Sequence, residues 1–191
     1  MNKYLYTLII LALFIIGCKD NSNIVSPVDS TVNANDVVGN PNWITLPPST
    51  ETVLKKDVAV SKLIHDNEDS ELKIITSYMS RSGRISIYAN AEFKKYSFKG
   101  NRYITMSVND EFGTTSFSPS GTWAKPVIFN LCIIGLDLHD VDPSKVDFVY
   151  MAPDGSYHKA NYESIYVNTR WGILQVVNAQ LPHFSRWGFI N

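Results

Sequence analysis

Charge of a dominant sign is missing from this chain. Across 191 residues, 17 Lys and Arg stand against 18 Asp and Glu, a net charge of -1. Such a balance gives no general drive toward nucleic acid or an anionic membrane surface, so no nucleic-acid partner is expected. Cysteine is scarce too. Cys18 and Cys132 are the two present, they lie in segments of different kinds, and no disulfide framework follows from them. No Cys/His spacing suits zinc, and no glycine-rich loop could cradle a phosphate. Asp137, His139, Asp140 and Asp142 crowd one connection, but the frame of a calcium loop is absent and Pro143 follows directly. They read as turn-forming residues of a solvated loop, as do His65, Asp66, Glu68 and Asp69. Neither a metal nor a cofactor is expected. Ser, His and Asp occur without a nucleophile elbow, which excludes a general hydrolase of that kind. Helical periodicity is also missing beyond the first residues.

What the chain does have is apolar and aromatic content. Hydrophobic residues make up 45% and aromatics 12%, enough to build a core. The one long apolar run is at the start, "MNKYLYTLIILALFIIGCKD". Lys3 supplies a positive n-region, and Leu8 to Ile16 is almost unbroken apolar sequence, shorter than the ~20 residues that span a bilayer. The run ends Ile15-Ile16-Gly17-Cys18, which resembles the bacterial lipobox. The resemblance implies diacylglyceryl transfer to the Cys18 sulfur, cleavage between Gly17 and Cys18, and acylation of the new α-amine. Three acyl chains would exceed the two signals that stable anchoring takes. An ordinary cleaved signal and a membrane helix are the other readings of this segment. Lys19-Asp20 resembles the surface-export tag of some bacterial lipoproteins, in a shortened form. The expected location is the outer membrane, lipid-anchored, with the cell surface favoured.

Three regions follow: a signal peptide over 1–17, the lipidated Cys and a flexible tether over 18–50, and a folded domain over 51–191. The tether is rich in Asn, Ser, Thr, Val and Pro with few charges, a composition that cannot bury enough apolar surface to offset its ordering entropy. Trp43 stands out there as an aromatic suited to docking on the domain. From Glu51 the pattern becomes short strands separated by turns. Leu72–Met79 and Ile85–Asn90 flank "SRSGR" and predict a hairpin. Arg102–Asn109 alternates strictly, with Ile104, Met106 and Val108 on one face. "TTSFSP" predicts a short strand ended by Pro119. Pro126–Ile134 is nearly all apolar, as for a strand central to a core, and Cys132 within it reads as a small buried hydrophobe. Pro153-Asp154-Gly155 predicts a turn between two strands, and Thr169–Gly172 another. A last strand is expected over Phe184–Ile190. "STETVLKKDVAVSKLI" reads as strand or coil. These signals define an all-β chain, an antiparallel β-sandwich of about eight strands behind an N-terminal signal helix and a disordered linker.

"FSPSGTWAKPVIFNL", Phe117 to Leu131, resembles the ZU-five domain signature, with Phe117, Pro119, Gly121, Trp123 and Pro126 holding the pattern and Trp in place of the usual Phe. Ile104-Thr105-Met106 matches the upstream strand, whereas Lys99-Gly100 departs from the usual Gly-Ala. The resemblance covers about Leu72 to Asn191 and implies a β-sandwich. Near the end, "HFSRWGF" is similar to the self-cleavage site of autoproteolytic members. That similarity implies attack of Ser185 Oγ on the Phe184 carbonyl carbon, an N-to-O acyl shift and hydrolysis of the ester, with His183 as base or orienting donor. The competing reading makes Phe184, Trp187 and Phe189 sandwich aromatics.

The aromatics Trp43, Tyr88, Tyr150, Tyr157, Tyr162 and Trp171 offer a third reading, a carbohydrate-binding module, with Trp171 at a hairpin tip and Tyr157 as contact residues. The expected function is therefore a membrane-anchored surface lipoprotein that displays a structural or binding module toward an envelope protein or glycan. The alternatives are single-turnover autoproteolysis between Phe184 and Ser185, and carbohydrate binding.

Overall fold

The computed structural model describes residues 23–25, 37–38, 41–50, 58–152 and 156–191. Gly17, Cys18, the expected signal helix, most of the expected tether and the Pro153–Gly155 turn lie outside the described residues. Every regular element among the described residues is a strand: β1 (Asn23–Val25), β2 (Val37–Val38), β3 (Val58–Ile64), β4 (Ser70–Ser80), β5 (Gly83–Phe93), β6 (Arg102–Val108), β7 (Thr114–Ile134), β8 (Asp147–Met151), β9 (Ser156–Lys159), β10 (Ser164–Asn168) and β11 (Ile173–Ile190). All pairings are antiparallel. The chain forms the expected all-β antiparallel sandwich.

Two long strands make the sandwich. β7 has 21 residues and β11 has 18, and they pair with each other along most of their lengths. The C-terminal half of β7 pairs with β5 and the N-terminal half of β11 with β10, which places β1, β10, β11, β7, β5 and β4 in one leaf. The other halves pair with β6 and β8, which places β3, β6, β7, β11, β8, β9 and β2 in the second leaf. A straight strand would hold Phe117 and Phe129 of β7 roughly 40 Å apart. Their ring centroids are 5.5 Å apart, so β7 folds over and its two halves face each other across the core.

The prolines explain where the fold-over falls. Pro119, Pro126 and Pro182 all lie within β7 or β11 but take no partner in the β7–β11 register. They occupy the stretch in which the strands pass from one leaf to the other, where a missing N–H interrupts no ladder bond. Sequence reading expected a strand ended by Pro119 and another begun at Pro126. The structure joins them into one bent strand, and likewise joins Ile173–Asn178 to Phe184–Ile190.

β11 also changes its inward face three times. Leu174 and Val176 point into the core, then Ala179 and Leu181, then Phe184, then Trp187 and Phe189, all of them buried. Each change of parity coincides with a register shift, between Val176 and Ala179, Leu181 and His183, and Phe184 and Arg186. A one-residue slip turns every later side chain to the opposite face. The first shift is made by Asn178, whose φ of 52° is a conformation asparagine tolerates.

Alternation elsewhere follows the sequence. Ile104, Met106 and Val108 of β6 are buried, whereas Tyr103 is 71% exposed. β7 differs from expectation. Val127, Phe129, Leu131 and Ile133 are buried, but Cys132 and Ile134 face outward with Ile75 and Tyr88 on the open side of the leaf. Cys132 is therefore half-buried on an outer face, not a core thiol, and partial burial pushes its pKa up.

Residues 41–50 were expected at the end of the tether, yet they form a strap across the domain. Ile44 and Leu46 are buried. Ile44 N–H donates to Phe189 O, Leu46 N–H donates to Glu111 O, and Tyr78 OH donates to Pro47 O. The folded unit thus begins before Glu51. Thr50 N–H then donates to Met79 O, and Lys62 Nζ to Glu71 O, which closes both ends of the edge strand β4.

Candidate functional site

The segment that raised the question of self-cleavage lies in the second half of β11. Phe184 is buried, and its ring packs on Trp123 (4.2 Å), Phe117 (4.8 Å) and Phe93 (6.2 Å). His183 turns away to Tyr150, at 4.4 Å between ring centroids, and Trp187, at 5.4 Å. Burial and then the nearby His158 push the His183 pKa down. Ser185 Oγ donates a long hydrogen bond, 3.4 Å, to Arg186 O. No hydrogen bond joins His183 to Ser185 among the described residues, and neither Phe184 nor Ser185 has a positive φ. The three side chains therefore diverge, to the core, to an aromatic rim and to the strand's own backbone.

The expected glycan contacts are scattered. Trp171 stands at the hairpin tip, 59% exposed, with the Arg170 guanidinium 5.3 Å from its ring. Tyr157 lies in β9, at the far side of the sandwich, half-buried. Tyr162 is buried and its OH donates to Asp147 at 2.7 Å; desolvation first, and then this hydrogen bond, raise its pKa strongly. No ring contact joins Trp171 to Tyr157 among the described residues. In the acidic connection, His139 bridges Asp137 (2.8 Å) and Asp140 (2.9 Å), all three exposed. The hydrogen bond to Asp137 leads the causes that raise the His139 pKa. No cluster of metal-ligating side chains occurs among the described residues.

The structure gathers a different set of residues at the end of the sandwich, around the β5–β6 loop. A cleft of about 490 Å³ is lined by Asp66, Tyr96, Phe98, Lys99, Arg102, Thr122 and Ala124. The loop is braced from the β3–β4 turn. Asp66 Oδ2 accepts from Gly100 N–H (2.7 Å), Asp66 O from Tyr96 N–H (2.6 Å), and Asp69 Oδ1 from Lys95 N–H (2.8 Å). The last of these leads the causes that hold the Asp69 carboxyl below its ordinary range. From the other side, Ala124 N–H donates to Ser97 O at 2.7 Å.

Two features of the cleft stand out chemically. Arg102 lies over two rings, 5.8 Å from Phe98 and 5.7 Å from Trp123. Its five donors have no hydrogen bond or ion pair with any described residue. A half-buried guanidinium set against two aromatic rings, with no protein acceptor among the described residues, is available to a planar anion. Tyr96 is 59% exposed and has a φ of 65°. A bulky residue in the left-handed region is an outlier held by its surroundings, and such strain clusters at binding sites.

Sequence reading missed this cleft. Its signal was present in "EFKKYSFKGNR", where Lys94, Lys95, Lys99 and Arg102 alternate with Phe93, Tyr96 and Phe98 in a chain of near-zero net charge. One residue of the expected His-Phe-Ser site does contribute: Phe184 packs on Trp123, and Trp123 packs on Arg102. Comparison with protein-family models, with curated proteins and with solved structures gives no match to this chain.

Proposed function

We propose that the protein is a lipid-anchored envelope lipoprotein that displays a ZU-five-like β-sandwich as a binding module, attached through acyl chains on Cys18 and held at the outer membrane. The observation that carries the binding role is the braced, open cleft around Arg102, which brings Lys99 and Arg102 together beside the ring of Tyr96. The anchor rests on Lys3, the short apolar run and Gly17-Cys18. Loop-borne contact residues on a rigid sandwich are a common arrangement for recognition. The divergence of His183 and Ser185 lends no support to chemistry at Phe184–Ser185, and the reading does not use it.

Cell fractionation tests the anchoring. The full chain is expected in the detergent-soluble membrane fraction and to take up labelled palmitate, and Cys18→Ala is expected to lose the label. Equal labelling of Cys18→Ala would contradict the lipobox reading. Proteinase added to whole cells is expected to remove the domain. A domain that survives in intact cells yet is digested after lysis would place it on the periplasmic face.

A further inference from the structure

We propose that the cleft between Tyr96 and Arg102 binds a carboxylated saccharide, a uronic-acid residue within an acidic glycan. The inference rests on the reading of the domain as a binding module and names its ligand. Arg102 presents a fixed fork of donors, and no described carboxylate answers it. Asp66, on the same wall, already spends Oδ2 on Gly100 N–H and its backbone carbonyl on Tyr96 N–H. Lys99 adds a second cation on the lining. A bidentate carboxylate is the group whose geometry matches a guanidinium fork.

The choice of a sugar comes from Tyr96. Its ring is exposed at the cleft, and its backbone is held in the left-handed region by the hydrogen bond to Asp66 O. Lys125 Nζ, which donates to Lys95 O, stands 5.8 Å from the centre of the ring. An aromatic ring with an apolar face and a polar tip suits a ligand that is apolar on one face and wet on the other. A pyranose offers such a face, and a uronic acid carries its carboxylate on the same ring. The cleft volume, about 490 Å³, falls within the range of small-ligand sites.

The test is titration of the full-length protein in detergent with trigalacturonate, followed by tryptophan fluorescence and calorimetry. Trigalacturonate is expected to bind at least tenfold more tightly than neutral galactotriose, and its binding is expected to weaken as salt rises. Arg102→Ala is expected to lower the affinity tenfold or more, and Arg102→Lys to recover only part of it. Since Arg102 packs on two rings, a second variant guards against a folding defect. Tyr96→Gly removes the stacking ring at a position whose φ favours glycine. It is expected to raise the melting temperature while weakening trigalacturonate at least fivefold, a split that a merely structural role would not give.

Equal binding of galactotriose, tighter binding of a triglutamate peptide or of inorganic phosphate, or an unchanged affinity in Arg102→Ala would each overturn the proposal. Cys18 takes no part in these measurements. Failure of the anchor therefore leaves the cleft standing, and an empty cleft leaves the anchor standing.

Discussion

Phe184→Ala lowers the free energy of unfolding by about 3–5 kcal/mol, read from denaturant curves of the full chain. Phe184 is 4% exposed and sits where three rings converge: Phe117 stacks on it at 22°, and Trp123 and Phe93 meet it edge-on. Truncation removes the transfer energy of a benzyl group. It also leaves a cavity that cannot collapse, because Phe117 and Trp123 belong to the fold-over of β7 and Phe93 to the end of β5. The aromatic pairs add roughly 0.5–1.5 kcal/mol each beyond burial. Ser185→Ala is expected to stay within about 0.5 kcal/mol, since its one bond is long and exposed. That contrast inverts what a self-cleaving peptide would require, in which the serine would carry the phenotype and the phenylalanine would tolerate similar apolar residues. A loss below about 1 kcal/mol for Phe184→Ala would contradict the packing role.

Gly172→Ala costs roughly 3 kcal/mol or more, from two causes that add. Gly172 has a φ of 60°, and a Cβ built there would overlap the carbonyl oxygen of Leu136. Its own carbonyl accepts from Gly135 N–H (3.0 Å) and Leu136 N–H (3.1 Å), so the β10–β11 turn and the end of β7 are locked together. Neither segment can move away without breaking those bonds. Gly100→Ala is the control. Its φ of 74° is also positive, but nothing lies within 4 Å of the added carbon. It should cost only the left-handed backbone term, about 1–2 kcal/mol. Equal losses at the two positions, measured by thermal unfolding, would show that the contact with Leu136 does not matter.

Much of the fold is legible in the sequence because period-two alternation and turn chemistry are local. β6 shows its buried face directly in Ile104, Met106 and Val108. The β4–β5 hairpin follows from "SRSGR", and the β10–β11 hairpin from a turn closed by Gly172. The joining of segments across Pro119, Pro126 and Pro182 is not local. Proline reads as a strand end, and only the two-leaf passage of β7 and β11 makes room for it. The strap formed by residues 41–50 is also hidden, since its binding edge is built from Phe189, Glu111 and Tyr78, far away in sequence. β3 escapes a firm reading because little of it is buried, Ile64 being the exception.

The candidate site was less legible still. "HFS" draws attention as a motif, yet alternation breaks at the register shift beside Ser185, and His183 is carried to Tyr150 and Trp187. The Arg102 cleft depends on a tyrosine in the left-handed region and on two rings from different strands meeting one guanidinium. Composition shows the interleaving of lysine and aromatics, but not that Arg102 would be left without a carboxylate.

Mass spectrometry of the intact protein, extracted from membranes of cells that express the full chain, tests the account most directly. The account predicts a single species that starts at Cys18, carries a diacylglyceryl group and a further acyl chain, and ends at Asn191. A species that keeps residues 1–17, bears an unmodified Cys18 sulfur, or ends at Phe184 would contradict it.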